Sequence, residues 1–311
     1  MSLSLSIRRT NFIEPPRYAV LLAAYNGETW INEQVQSILR QAGVEVDLFI
    51  SIDLSTDKTE SIVKDLCREH SNISLLPCGM RYGSASRNFF RLIYDVDFSS
   101  YDYVALSDQD DIWLDNKLSR AAHVVKSNGV EGYSSDVRAF WENSNKTVLI
   151  KKSYRQKKWD YYFESAGPGC SYVLNRDAAL SVQQVIRSNR DLIQEIDLHD
   201  WLIYAIVRCN GLTWHIDNQA TLLYRQHSSN EFGANSGLSA WTKRFNQIKS
   251  GWYKGQIRCL LQLCGDRSVT ICKAIDGGIA GRLYLLLHVH KLRRRLRDRF
   301  ILFWVLLLGI F

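Results

Sequence analysis

Residues 102–117, DYVALSDQDDIWLDNK, decide how this chain is read. Tyr103, Val104, Ala105 and Leu106 form a short apolar run of strand-forming residues, bounded at Ser107. Asp108, Asp110 and Asp111 follow at once. Two bare charges about 4 Å apart repel by about 4 kcal/mol at a near-surface dielectric. Such a cluster persists if a cation sits among the side chains or if they fan into water. A solvated acidic turn or a helix start accounts for the composition, since Asp is favoured in a first helical turn. The position favours a site, because ligands of α/β proteins bind at the carboxyl ends of buried strands. Trp113 would add an aromatic wall. Clustered oxygen ligands suit a hard cation of the Mg²⁺ or Mn²⁺ type, which in turn holds a diphosphate.

Working outward, residues 18–24 form an apolar run that ends in the turn signal Tyr25-Asn26-Gly27. Ile31, Val35, Ile38 and Leu39 recur at helical spacing, and residues 44–52 read as a second strand. Ser55-Thr56-Asp57 opens a helix carrying Ile62, Val63 and Leu66; residues 73–76 form a third strand. A loop around Gly83 leads into a helix with Phe89, Phe90, Leu92 and Ile93. Strand and helix thus alternate four times, which predicts an α/β fold, a mostly parallel sheet flanked by helices. Further on, residues 132–140 and 171–174 read as strands and 151–158 as an exposed basic loop. Helices are expected near 177–190 and 200–209, with a last strand at 221–225. A polar Ser/Asn/Gly segment at 228–239 reads as a boundary or mobile loop. The division that follows is a leader at 1–16, an α/β domain at 17–235 and a C-terminal helical extension at 236–311.

Each strand end offers polar groups. Ala24, Tyr25, Asn26 and Glu28 flank Gly27, where small residues and exposed amides can approach a nucleotide. Asp53 can accept a pyrimidine N3–H or a ribose hydroxyl. Arg87 and Asn88 open the helix after the third strand, beside Gly83, where a cation and a helix N-terminus favour phosphate. Downstream, Asp200 stands at a helix start, which N-capping alone would explain. Arg225, Gln226 and His227 end a strand with a cation, an amide and an imidazole in succession.

In this order LLAAYNGE, SIDLSTDKT, GSASRNF, DYVALSDQDDIWLDNK, HDW and YRQHSSNEFGAN resemble glycosyltransferase family 2, most of all its bacterial rhamnosyltransferase-like members, across roughly residues 17–235. The resemblance implies a GT-A fold, a nucleoside diphosphate sugar donor linked to dTDP or UDP, a divalent ion (Mn²⁺ or Mg²⁺) and an inverting displacement. Carried over, Asp108 and Asp110 match the DxD pair and His227 a late metal or phosphate contact. Gln109 lies inside that motif, and Asp111 matches an acid facing the donor sugar. Asp200 matches the general base and Asp53 the acid contacting the base of the nucleotide. Gly169, Cys170, Trp201 and Trp113 would border the acceptor. The family usually carries Asp-Asp-Gly-Ser where this chain has Ile52-Asp53-Leu54-Ser55, a departure that bears on nucleotide choice and not on the acid cluster. Two other classes stay open: a catalytically silent sugar- or lipid-binding partner, for which Ile52 and Leu54 speak, and a nucleotidyltransferase, which also uses clustered acids.

Length and composition fit this. The 311 residues, 46% hydrophobic and 23% charged, suffice for one large domain and an appendage. The net charge of +7 suggests anionic partners. No CxxC pair or zinc-like spacing occurs among the seven cysteines, which read as thiols in a reducing compartment. The N-terminus shows no apolar signal core, so a cytoplasmic catalytic part is expected. From Arg282 onward, Leu285, Val289, Leu292, Leu296, Phe300 and Phe303 fall on one face of a continuous helix, with Arg293, Arg294, Arg295, Arg297 and Arg299 on the rest. That pattern predicts peripheral contact with the inner face of the cell membrane, released by deleting 282–311, and a lipid-linked saccharide acceptor fits it. Nucleic acid is not expected, since the cations are interleaved with aliphatics and no nucleic-acid motif occurs.

Overall fold

The structure is a computed structural model and describes residues 14–142, 144, 146–227, 246–265 and 269–311. The leader up to residue 13 and the polar segment at 228–239 lie outside the described residues. Strands β1 (Arg17–Ala24), β2 (Glu45–Ile52), β3 (Ile73–Leu75) and β4 (Tyr103–Ser107) pair in parallel, with β1 between β4 and β2. The side chains of β1 alternate between two cores. Ala19, Leu21 and Ala23 join one; Tyr18, Val20, Leu22 and Ala24 join the other. Burial on both faces is what a continuous apolar run requires of a central strand.

Helices α1 (Ile31–Leu39), α2 (Thr59–Glu69) and α4 (Lys117–Asn128) cover one face; α3 (Ala85–Asp95), α5 (Arg176–Ser188) and α7 (His199–Cys209) cover the other. Ser84 caps α3 by accepting the Arg87 N–H, and Asn175 caps α5 by accepting the Ala178 N–H. A five-residue helix, α6 (Arg190–Gln194), links α5 to α7. Beyond β4 come β5 (Ile112–Trp113), β6 (Gly132–Ser135), β7 (Val137–Phe140), β8 (Thr147–Ile150), β9 (Val173–Asn175), β10 (Trp214–Asp217) and β11 (Leu222–Arg225). The large sheet runs β10-β6-β9-β4-β1-β2-β3, antiparallel only along β9; a second sheet runs β5-β11-β7-β8.

The stretch read as one strand at 132–140 is therefore two strands in two sheets. Asp136 makes the crossing: it is buried and its carboxylate accepts the backbone N–H of Lys152 and Ser153 and the Ser153 hydroxyl. Strands β5, β8 and β10 have no counterpart in the sequence reading.

The C-terminal part departs furthest from expectation. Helices α8 (Trp252–Cys264), α9 (Val269–Asp276), α10 (Gly278–Leu287) and α11 (Leu296–Leu307) follow, and the apolar stripe is not one helix. Leu285 and Leu292 are buried, whereas Leu296 and Phe300 are exposed. The chain leaves the helix after Leu287, and Arg293 and Arg294 turn inward before the next helix starts at Leu296. Arg293 donates to the Phe163 carbonyl; Arg294 donates to the Ser165 carbonyl and lies 3.5 Å from Asp160 and 3.6 Å from Glu164. Two of the five arginines expected to face lipid are thus spent on the body of the protein. Among the described residues no helix is long and apolar enough to cross a membrane. Nor are all cysteines thiols: Cys209 at the end of α7 is bonded to Cys264 at the end of α8, a pairing 55 residues apart that spacing does not announce.

Deletion of 282–311 accordingly does more than release a tail. Asp160 is fully buried and held by Arg208 and Arg294. Removing one partner of a buried pair costs about 3–5 kcal/mol. Arg294→Ala is expected to lower the unfolding free energy by that order, measured by urea denaturation.

Candidate active site

One cleft of 1440 Å³ runs across the carboxyl ends of β1, β2 and β4 and on to the C-terminal helices. At one end the turn after β1 places Asn26 in the left-handed region, φ 46°. That conformation is tolerated by Asn because its side chain bonds locally. Asn26 Oδ1 accepts the Thr56 N–H, and its own N–H donates to Ser55 Oγ. Gln109 then closes over the turn: its Oε1 accepts the Tyr25 N–H and its Nε2 donates to the Tyr25 carbonyl, both at 2.8 Å. A Cβ on Gly27 would overlap that amide, so glycine there permits the approach. Asp53 accepts three backbone N–H groups, from Leu54, Tyr82 and Gly83, at 2.7–2.8 Å. This fixes a carboxylate on the cleft wall, beside Asn88, whose amide ties Ala24 to Ser51.

The acid turn after β4 splits in two. Asp108 and Asp110 line the cleft, and His227 Nε2 lies 2.8 Å from Asp110 Oδ2. The His227 ring stacks on Trp30 at 4.1 Å. Asp111 and Cys170 are fully buried behind the wall. One ligand atom each of Asp108, Asp111 and Cys170 lie within 4.8 Å of one another. Burial, with Asp110 and Asp108 adding to it, raises the Asp111 carboxyl well above its ordinary value; burial likewise raises the Cys170 thiol. Protonated groups make poor ligands for a hard cation, which wants charged oxygens. The cleft-facing Asp108 and Asp110, with His227 adjoining, fit a divalent ion better than the buried trio does. Lys117 sits beneath, its Nζ 3.6 Å from the Trp113 ring centre, and burial lowers its ammonium to about 7.

At the middle of the cleft stands Asp200, in the first turn of α7. It is not the cap: Leu198 holds that place, and Asp200 accepts the Trp201 N–H at 2.7 Å. Burial pushes its carboxyl up to about 6, with the Trp201 amide, the Ser165 hydroxyl and the Lys152 ammonium pulling it back. A carboxylate so placed can hold a proton and release it near neutrality. His199 beside it stacks on Phe89 at 4.1 Å and lies 3.3 Å from Ser86 Oγ. Burial pushes its imidazole down to about 3, so it is neutral. Nothing in the sequence singles out Ser165 or Lys152; the Lys151-Lys152 pair reads only as part of a basic loop.

Of the residues expected at the site, Ala24, Tyr25, Asn26, Asp53, Gly83 and Asn88 line the cleft. So do Asp108, Gln109, Asp110, Gly169, Asp200, Trp201 and His227. The rest lie elsewhere. Trp113 is buried in the core behind α1 and α4, with its backbone N–H donating to Ser37 Oγ, so it walls no acceptor. Cys170 and Asp111 pack behind Asp108. Arg225 is buried; its guanidinium binds Glu33 and Glu142 and donates to the Asp110 carbonyl, and its N–H donates to Asp111. Its charge is used to clamp the acid turn rather than a phosphate. Arg87 reaches the Gln194 carbonyl, and Glu28 accepts the Lys58 N–H at the start of α2.

Comparison with known proteins identifies the family. The glycosyl transferase family 2 model matches residues 19–180. The dTDP-rhamnosyl transferase RfbG of Shigella flexneri is 39% identical over 291 residues, covering 93% of this chain and 100% of its own length. The UDP-Glc:alpha-D-GlcNAc-diphosphoundecaprenol beta-1,3-glucosyltransferase WfgD of Escherichia coli is 27% identical over 161 residues, 51% of this chain and 60% of its own. Among solved structures, S. aureus TarS 1-349 in complex with UDP-GlcNAc aligns with TM-score 0.55 over 94% of this chain and 80% of its own, at 12% identity. That last likeness is one of fold.

Proposed function

The chain belongs to glycosyltransferase family 2, among its rhamnosyltransferase-like members, and on that premise we propose that it moves rhamnose from dTDP-rhamnose to a lipid-linked saccharide in bacterial surface polysaccharide synthesis, with inversion at the anomeric carbon. The observation that carries the reading is one cleft joining Asp108, Asp110 and His227 at one end to the half-buried Asp200 further along. The dTDP-rhamnosyl transferase of Shigella flexneri supports the choice of donor. The diphosphoundecaprenol named for the glucosyltransferase of Escherichia coli supports a lipid-linked acceptor.

In this account the turn after β1, clamped by Gln109, and the fixed carboxylate of Asp53 hold the nucleoside. Asp108, Asp110 and His227 would hold a divalent ion, Mn²⁺ or Mg²⁺, which offsets charge on the departing diphosphate. Asp200 takes the proton from the acceptor hydroxyl as that oxygen attacks from the face opposite the leaving group. Ser165 and Lys152 keep the carboxylate oriented. The neutral His199, packed on Phe89, shapes the acceptor side with Gly169 and Trp201. Peripheral membrane contact is assigned to α10 and α11, which carry Leu283, Leu287, Phe300 and Trp304 exposed.

Gly169 tests the acceptor side. A Cβ there would overlap His199 Nε2. Gly169→Ala is expected to raise the acceptor KM at least about tenfold, as misplacement by a fraction of an ångström does, with nucleotide affinity unaltered by titration. The function is tested by a mass-spectrometric screen of dTDP-rhamnose, UDP-glucose and UDP-N-acetylglucosamine with Mn²⁺ and no acceptor. Release of dTDP from dTDP-rhamnose, above nucleotide release from the others, is expected. Turnover confined to the UDP sugars would refute the donor, and pyrophosphate release would point to a nucleotidyltransferase.

A further inference from the structure

Beyond Asp200 the cleft continues into a region of different chemistry. Ser165 links the two: its hydroxyl, which donates to the Gly167 carbonyl, is close enough to Asp200 to hold that carboxyl down, and its carbonyl accepts Arg294. The next residue, Arg295, lines the cleft with Arg297 and Lys152. The Lys152 stem passes over Gly167, where an added Cβ would meet it at 3.5 Å, and its ammonium interacts with Asp200. Arg293 faces the same space, but its guanidinium lies 3.9 Å from both Glu164 and Asp298. Arg297 also pairs with Asp298, at 3.1 Å, and is half exposed. Among the described residues neither Lys152 nor Arg295 has an ion pair within 4 Å. Four cations here face two carboxylates, Glu164 and Asp298, outside the base itself. Past them the wall becomes apolar: Ile301, Leu302 and Val305 of α11 line the cleft. The outer face of α10 and α11 exposes Leu287 at 76%, and Leu296 and Phe300 at 66% each. Exposed apolar surface next to a charged rim marks an interaction site rather than an ordinary surface.

The sequence of surfaces is a carboxylate base, then cations, then an apolar helical pair. A molecule that matches it carries a sugar hydroxyl, then a diphosphate, then a long hydrocarbon. We propose that Lys152, Arg295 and Arg297 form a subsite for the diphosphate of a polyprenyl-linked acceptor, with its hydrocarbon lying along α10 and α11. The proposal rests on the transferase reading for the identity of the Asp200 end. It differs from a general membrane contact because it assigns specific cations of the cleft wall to the acceptor, one of which, Lys152, interacts with the base.

The test is a titration of the full chain, in EDTA, with farnesyl diphosphate and with farnesol, followed by tryptophan fluorescence. Without a divalent ion, Asp108 and Asp110 repel a diphosphate, so the donor corner does not compete. The diphosphate is expected to bind at least about tenfold more tightly than the alcohol, as two charge-assisted contacts give. The Arg295→Gln/Arg297→Gln double variant is expected to lose that preference and keep its farnesol affinity. Both residues are exposed, so the fold is not at stake. Equal binding of diphosphate and alcohol, no binding of either, or a preference that survives in the double variant would overturn the subsite. So would displacement of farnesyl diphosphate by saturating dTDP with Mn²⁺, or equal competition by phosphatidylglycerol vesicles. Failure of the transferase reading itself would show separately, as loss of Mn²⁺-dependent dTDP binding to the unaltered chain.

Discussion

Asp200→Asn is expected to bind dTDP and Mn²⁺ as the unaltered chain does and to lower the rate of transfer about 10³-fold, the usual contribution of a positioned base. The amide keeps the Trp201 contact and cannot take a proton. In the unaltered protein the acid limb of the rate profile is expected near pH 6, because burial holds the Asp200 carboxyl at about 6 and only its ionised form is a base. Below that pH the rate falls tenfold per unit as the base is protonated; in Asp200→Asn this limb is absent. The same burial has a sign for stability. The folded state binds the proton more tightly than the unfolded chain, so the Asp200 contribution to stability is full below the ordinary carboxylate value and declines as pH rises through about 6. Asp200→Asn is therefore expected to be more stable than the unaltered chain at pH 8, on the order of 2 kcal/mol, and no more stable at pH 4. Calorimetry at the two pH values reads this directly. A residue kept only for packing would show no rate loss; a variant that turned over normally would remove the base assignment.

Asp110→Ala is the second large effect. Asp110 is the acid that touches both His227 and the cleft, and its carbonyl is held by Arg225. Without its carboxylate, Asp108 and the uncharged contact of His227 hold a divalent ion poorly against water, since each lost charged ligand weakens a hard-cation site steeply. Mn²⁺-dependent affinity for dTDP is expected to fall at least about 100-fold, an energy of about 2.7 kcal/mol. Arg225 keeps its partners Glu33 and Glu142, so the fold should survive and thermal unfolding without nucleotide should change little.

The central fold was legible because its signals are local. Continuous apolar runs ended by turn residues announced β1, β2, β3 and β4, and helical spacing announced the helices between them. Asp136 hid a strand boundary, since nothing in the run from 132 to 140 shows that one buried carboxylate will gather the amides of Lys152 and Ser153 and turn the chain into another sheet. Short strands such as Ile112–Trp113 are defined by their partners and carry no period of their own.

The site was legible to a similar depth. Carboxylates and amides placed at strand ends in a fixed order could be located from the chain alone. What the sequence cannot state is which charges are already answered. Arg225 reads as a phosphate ligand until Glu33 and Glu142, 192 and 83 residues away, take its guanidinium. Arg293 and Arg294 read as membrane-facing until Asp160 and Glu164 claim them. Trp113 reads as a wall beside the acids, but alternation along a two-residue strand sends it into the core over Lys117. In each case tertiary neutralisation or burial, decided by residues far along the chain, overrode a local signal.

The most direct test of the account is anomalous scattering at the manganese edge from crystals of the full chain soaked with Mn²⁺ and dTDP. The account predicts one strong peak between the Asp108 and Asp110 carboxylates and His227, with the diphosphate on its far side and the thymine toward Asp53. A nucleotide seated without any peak there, or a peak at the buried Asp111 and Cys170 instead, would contradict it.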